Sequence, residues 1–152
     1  FNVSQSRPLS RGEINITSPH PNDPPEIVAN YLEEPSDQLT LINGMNAARN
    51  IANATAFDHF RNYEIRPGNS VSSHDGMLEY IRKNSTSLYH PVGTCRMGLE
   101  ETAVVDQNLK VKGINGLRVA DASIMPQIIS GNTNAATVMI AEKAADLIKF
   151  NT

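Results

Sequence analysis

Leu109-Lys-Val-Lys-Gly-Ile-Asn-Gly-Leu-Arg-Val-Ala-Asp121 places two short apolar-alternating runs on either side of a glycine turn. Leu109 and Val111 alternate with Lys110 and Lys112, Leu117 and Val119 flank Arg118, and Gly113-Ile-Asn-Gly116 turns the chain between them, so the pattern predicts two strands. Just upstream, Ala103-Val-Val-Asp106 reads as a third. Downstream, from Ala136 to Phe150, apolar residues at 138, 141, 145 and 148 with Glu142, Asp146 and Lys149 elsewhere predict an amphipathic terminal helix. The last third of the chain is thus a strand, strand, strand, helix unit.

The earlier part has a different character, with the change falling near residues 98–102. In Arg11-Gly-Glu-Ile-Asn-Ile-Thr17, Ile14 and Ile16 share one face, the period-2 signature of a half-buried strand over 12–17. Residues 18–25 carry four prolines, which remove ladder donors and bar helix, so they form a loop. Ser36 offers a cap, Asp37 suits a positive helix start, and Leu39, Ile42, Met45, Ala48 and Ala52 recur at helical spacing, predicting a helix over 37–53. Ser72-Ser-His-Asp75 has capping-box spacing before Met77, Leu78 and Ile81, which predicts a second helix over 73–83. Helices and strands segregated in this way make the class α+β.

The chain has 152 residues, 39% hydrophobic and 19% charged, with 13 Lys+Arg against 16 Asp+Glu. This composition is that of a globular chain long enough to bury a core. A net charge of −3 argues against nucleic acid or an anionic membrane surface as partner. No apolar run approaches the roughly 18 residues of a membrane span, and the first 20 residues lack the pattern of a secretion signal. Starting at Phe1 without an initiator Met, the chain reads as cut from something longer or as a processed piece. The single Cys95 excludes an internal disulfide, and His20, His59, His74 and His90 lack metal-ligand spacing. Asn-x-Ser/Thr matches at Asn2, Asn15, Asn53 and Asn84 are near chance for a chain so rich in these residues.

Two loops could carry chemistry. His90, in Tyr89-His-Pro-Val-Gly-Thr-Cys-Arg-Met-Gly98, could exchange a proton near neutral pH if the proline and glycine aim it into a cleft; a backbone-bonded loop histidine is the alternative. Asp121 stands at the end of a strand, where α/β sheets meet ligands. Asn132, in Ser130-Gly-Asn-Thr-Asn134, offers a donor and an acceptor ahead of a helix N-terminus; loop and cap chemistry accounts for it equally well. Cys95 reads as a small buried thiol. Arg96 and Arg118 read as surface partners of Asp106 and Asp121, with a phosphate anchor as the alternative.

Taken together, His90-Pro-Val-Gly-Thr-Cys-Arg-Met-Gly98, Val104-Val-Asp106, Gly116-Leu-Arg-Val-Ala-Asp-Ala-Ser-Ile-Met-Pro126 and Ser130-Gly-Asn-Thr-Asn-Ala-Ala-Thr-Val-Met-Ile-Ala-Glu-Lys143 resemble the C-terminal region of the glucose–methanol–choline (GMC) oxidoreductases. Within that family, the choline-dehydrogenase type of alcohol dehydrogenase is the nearest likeness. The resemblance implies FAD as cofactor and a small alcohol as substrate. It also implies a substrate domain over 1–102 with an antiparallel sheet, and a return into the FAD-binding α/β domain over 103–152. His90 would be the base that handles the alcohol proton and Asn132 the partner that holds the same oxygen. Asp121 and Ala122 would lie along the cofactor's phosphate and ribityl region, with Asn134 and Ala135 beside the flavin ring.

One departure is large. A dinucleotide cradle needs Gly-x-Gly-x-x-Gly, and none of the nine glycines here forms a Gly-x-Gly. The main cofactor cradle would therefore belong to an N-terminal FAD-binding half, without which the chain would be inactive, expose apolar surface and tend to self-associate. The alternative function is a catalytically inactive ligand- or partner-binding domain using the 130–134 loop.

Overall fold

A computed structural model describes residues 1–150, which divide into two compact units, one over Phe1–Thr86 and one from Ser87 onward. The described elements are a two-stranded antiparallel sheet and three helices, so the class is α+β.

In the first unit, strands β1 (Glu13–Asn15) and β2 (Glu26–Val28) pair antiparallel, Ile14 opposite Ile27. A strand forms where the period-2 pattern placed it, but it is shorter than the expected 12–17 and not half-buried: Ile14 is 51% exposed and Ile16, past the strand's end, 89%. Two strands of three residues make too small a sheet to cover a face.

Helix α1 (Pro35–Ala52) starts two residues before the sequence-based expectation. Ser36 is not its cap: Glu34 takes that position without a side-chain hydrogen bond, and Pro35 opens the helix, where its missing N–H costs nothing. Helix α2 (His74–Asn84) is capped by Ser73, whose hydroxyl accepts from Gly76 N at 3.1 Å. The two helices pack through Ile42, Met77 and Ile81, with Met45 and Leu78 alongside, the positions that helical periodicity marks. Leu39, on the expected stripe, is half exposed.

The second unit is built on Val105, Leu109, Ile124, Met125, Ile140 and Ala144. Here the three expected strands do not form. Their residues meet only in single bridges, Met97 with Val105, Val105 with Val111 and Lys110 with Arg118. Turns leave no room for longer ladders. Asp106 Oδ1 accepts from the backbone N–H groups of Asn108 and Lys110, while Leu109, Gly113 and Gly116 all adopt positive φ.

Helix α3 (Asn134–Phe150) is the terminal helix expected from sequence, but its buried stripe is a different one. Ile140 and Ala144 are buried with Ala136 and Leu147 beside them, whereas Val138 and Ile148 stand more than half exposed. The helix is apolar on more than one face, and periodicity alone does not choose between stripes. No described helix is long and apolar enough to cross a membrane.

Candidate functional site

The loop holding His90 is set by local backbone constraints. Tyr89 adopts φ 60°, a left-handed conformation unusual for an aromatic residue, and its N–H donates to Ser87 Oγ at 3.0 Å. Such conformations cost roughly 1–3 kcal/mol and persist where the surroundings enforce them, often at functional sites. Pro91 biases His90 toward extended backbone. Gly93, at φ 91°, turns the chain where an added Cβ would press on Met125 O at 3.3 Å.

On either side of the turn, Val92 and Met97 pack on the core, and the loop is stitched to the 122–124 segment by hydrogen bonds from Cys95 N to Ser123 O (3.0 Å) and Met97 N to Ile124 O (2.8 Å). The Cys95 thiol is free and half-buried.

The opposing wall is the start of α3. Thr133 is buried, and its carbonyl accepts from Thr137 N at 2.9 Å and Thr137 Oγ1 at 2.8 Å, which makes it the cap residue of the helix. Its hydroxyl meets His90 Nδ1 at 3.2 Å. His90 is half-buried.

The structure thus joins the two loops that sequence singled out, through a residue that sequence reasoning missed. Asn132 and Asn134 flank Thr133 and are exposed, as is Ala135. Thr133 could be read as a helix cap from its place before the apolar run, but nothing local pointed to a partner 43 residues upstream.

Asp121 differs from expectation. It does not end a strand but caps a short 3-10 turn, Ala122–Ile124, where Oδ1 accepts from Ser123 N at 2.7 Å and from the Ser123 hydroxyl. Ala122 packs against the core. Arg96 pairs with Glu100 and Thr102, and Arg118 donates to Asn108 O, so neither meets Asp106 or Asp121. Among the described residues no cluster of His, Cys, Asp and Glu could hold a metal.

The donor set suits part of a flavin. The first-turn N–H groups of α3 lack intrahelical partners and Asn132 and Asn134 beside them are exposed, uncharged donors of the kind that ring carbonyls and nitrogens would take. The chain has no Gly-x-Gly, the fingerprint of a dinucleotide cradle.

The match of this chain to known proteins is specific. Residues 8–141 fit the sequence profile of the GMC oxidoreductases, and the chain belongs to that family. It is 49% identical over 142 residues to an alcohol dehydrogenase [acceptor] of Pseudomonas putida, a match covering 93% of this chain and 26% of the relative. To an oxygen-dependent choline dehydrogenase of Cronobacter sakazakii it is 44% identical over 150 residues, covering 99% of this chain and 27% of the relative. Its structure is similar, with a TM-score of 0.88 and 34% identity, to a FAD-dependent oxidoreductase from Chaetomium thermophilum, covering 94% of this chain and 25% of that one. The chain therefore spans about a quarter of the length of the relatives it matches.

Proposed function

We propose that this chain is the C-terminal, substrate-side portion of a FAD-dependent enzyme that oxidises a small alcohol, with His90 as the base and Asn132 as its partner. The observation that carries the reading is the 3.2 Å contact between His90 Nδ1 and the hydroxyl of Thr133, the residue next to Asn132. With Nδ1 engaged there, Nε2 is the nitrogen that takes the substrate's hydroxyl proton. The Asn132 amide donates to the same oxygen, holding it without competing for the proton. FAD, when bound, supplies the acceptor for the hydride leaving the alcohol carbon. Asn134 and Ala135, at the start of α3, would hold the flavin ring, and Asp121 and Ala122 would hold its ribityl and phosphate region. The remaining cradle comes from an N-terminal FAD-binding half of the same protein, and the chain without it is inactive.

In this reading residues 1–102 serve the substrate domain and 103–152 return to the FAD-binding domain. The apolar stripe left open on α3, with Val138 and Ile148 each more than half exposed, supports self-association of the chain when it is alone. The test is His90→Ala in the flavoprotein that contains this chain. Turnover of alcohols should fall by about 10²–10⁴-fold, the range for loss of a general base, with the flavin spectrum retained. Undiminished turnover would overturn the assignment.

A further inference from the structure

We infer that Thr133 is a positioning residue that selects the tautomer of His90, an inference that rests on His90 being the base. A neutral imidazole carries its proton on one nitrogen only, and the bond made by the other end of the ring decides which. At 3.2 Å, Thr133 Oγ1 can accept from Nδ1–H, leaving Nε2 with its lone pair, or donate to Nδ1, which forces the proton onto Nε2 and removes the base. Only the first arrangement leaves a nitrogen able to take a proton.

The surroundings keep this hydroxyl in place. Thr133 is 8% exposed, its backbone is pinned by the two bonds from Thr137, and three residues further on Ala136 begins the stripe that seats α3 on the core. As a β-branched side chain it has few rotamers to lose. On the other side, Val92 anchors the His90 loop to the same core. Both partners are therefore held by one packed cluster, and the cap residue of α3 orients the histidine through its hydroxyl. Because Thr133 also lies between Asn132 and Asn134, one contact registers the base, its partner and the helix start against each other.

Three variants of the FAD-loaded protein containing this chain test the inference: Thr133→Val, Thr133→Ser and His90→Ala. Thr133→Val keeps shape and removes the hydroxyl. It should lower kcat by about 10–100-fold, the cost of removing a group that orients a functional histidine, with KM for the alcohol and the flavin spectrum little changed. Thr133→Ser, which restores the hydroxyl, should recover most of the rate. Nitrogen-15 spectra of histidine-labelled protein should show the His90 proton on Nδ1 in the parent and in Thr133→Ser, and a mixture of tautomers in Thr133→Val.

Thr133→Val retaining full kcat would overturn the inference while loss of activity in His90→Ala left the base assignment standing, and a parent spectrum with the proton on Nε2 would overturn both. Full activity in His90→Ala would instead overturn the reading on which it rests. A structural role alone predicts that Thr133→Ser behaves no better than Thr133→Val.

Discussion

Asp37, in the first turn of α1, holds Ser10 by two hydrogen bonds, one from the Ser10 backbone N–H at 2.7 Å and one from its hydroxyl. The same carboxylate accepts from Leu9 N at 2.9 Å and from Gln5 Nε2 at 2.7 Å. A side chain 1% exposed thus ties the extended N-terminal segment to the helix. Burial pushes this carboxyl up, but the four bonds from Leu9, Ser10 and Gln5 outweigh it and bring its pKa from 3.8 down to about 2.

A carboxyl whose folded pKa is depressed stabilises the fold at pH values above its unfolded pKa, and that stabilisation is lost as pH falls through the folded value. Asp37 should contribute roughly 2 kcal/mol above about pH 4, disappearing toward pH 2. Thermal unfolding of Asp37→Asn against the parent should show a gap at neutral pH that narrows over this window. A gap independent of pH would show that the bonds do not depend on the charge.

Gly44 lies mid-helix where an added Cβ would collide with Val3 Cγ1. Replacing glycine by alanine inside a helix ordinarily gains up to about 1 kcal/mol. At this position Gly44→Ala should destabilise the parent and become stabilising when Val3→Ala removes the obstructing methyl. Denaturant unfolding of both single variants and the pair reads the coupling; additive effects would refute the contact.

Arg49 meets Glu64 with Nη2 at 2.8 Å and Nε at 3.0 Å, and the same Nη2 donates to Val71 O at 2.8 Å. The Arg49 hydrogen bond holds the Glu64 carboxyl below its usual range, with burial acting against it. Lysine cannot reproduce this fork. Arg49→Lys should therefore cost about 1–3 kcal/mol, since it strands a carboxylate and carbonyls that are partly buried. Proteolysis should then cut first between residues 57 and 71; unchanged cleavage would place the staple outside the stability of that segment.

Ile140 is 8% and Ile148 57% exposed on the same helix. Ile140→Ala should destabilise by about 2–5 kcal/mol, and Ile148→Ala by no more than about 0.5 kcal/mol in the chain alone. The Ile148 strip should also bind an apolar-surface dye, and Val138→Ser with Ile148→Ser should weaken that binding. Equal costs at the two isoleucines would mean the helix buries both stripes.

What could be read from residues alone followed from interactions between near neighbours. Period 3.6 marked Ile42, Met45, Met77 and Ile81, which do pack together, and the prolines of 18–25 marked a loop. The ordered motifs at 90–98, 116–126 and 130–143 carried the family, because backbone turns and caps there need particular residues at particular spacings. Distance in sequence hid the rest. Short apolar runs at 103–106, 109–112 and 117–121 have strand composition, but turns at Asp106 and Gly113 limit them to single bridges. Asp37 looked like a helix-dipole residue until the fold laid Ser10 on it, and α3 had two apolar stripes until the core took one. The meeting of His90 with Thr133 was decided only by tertiary packing: local patterns place a histidine in a loop and a threonine at a helix start, but only a shared core brings groups 43 residues apart to 3.2 Å.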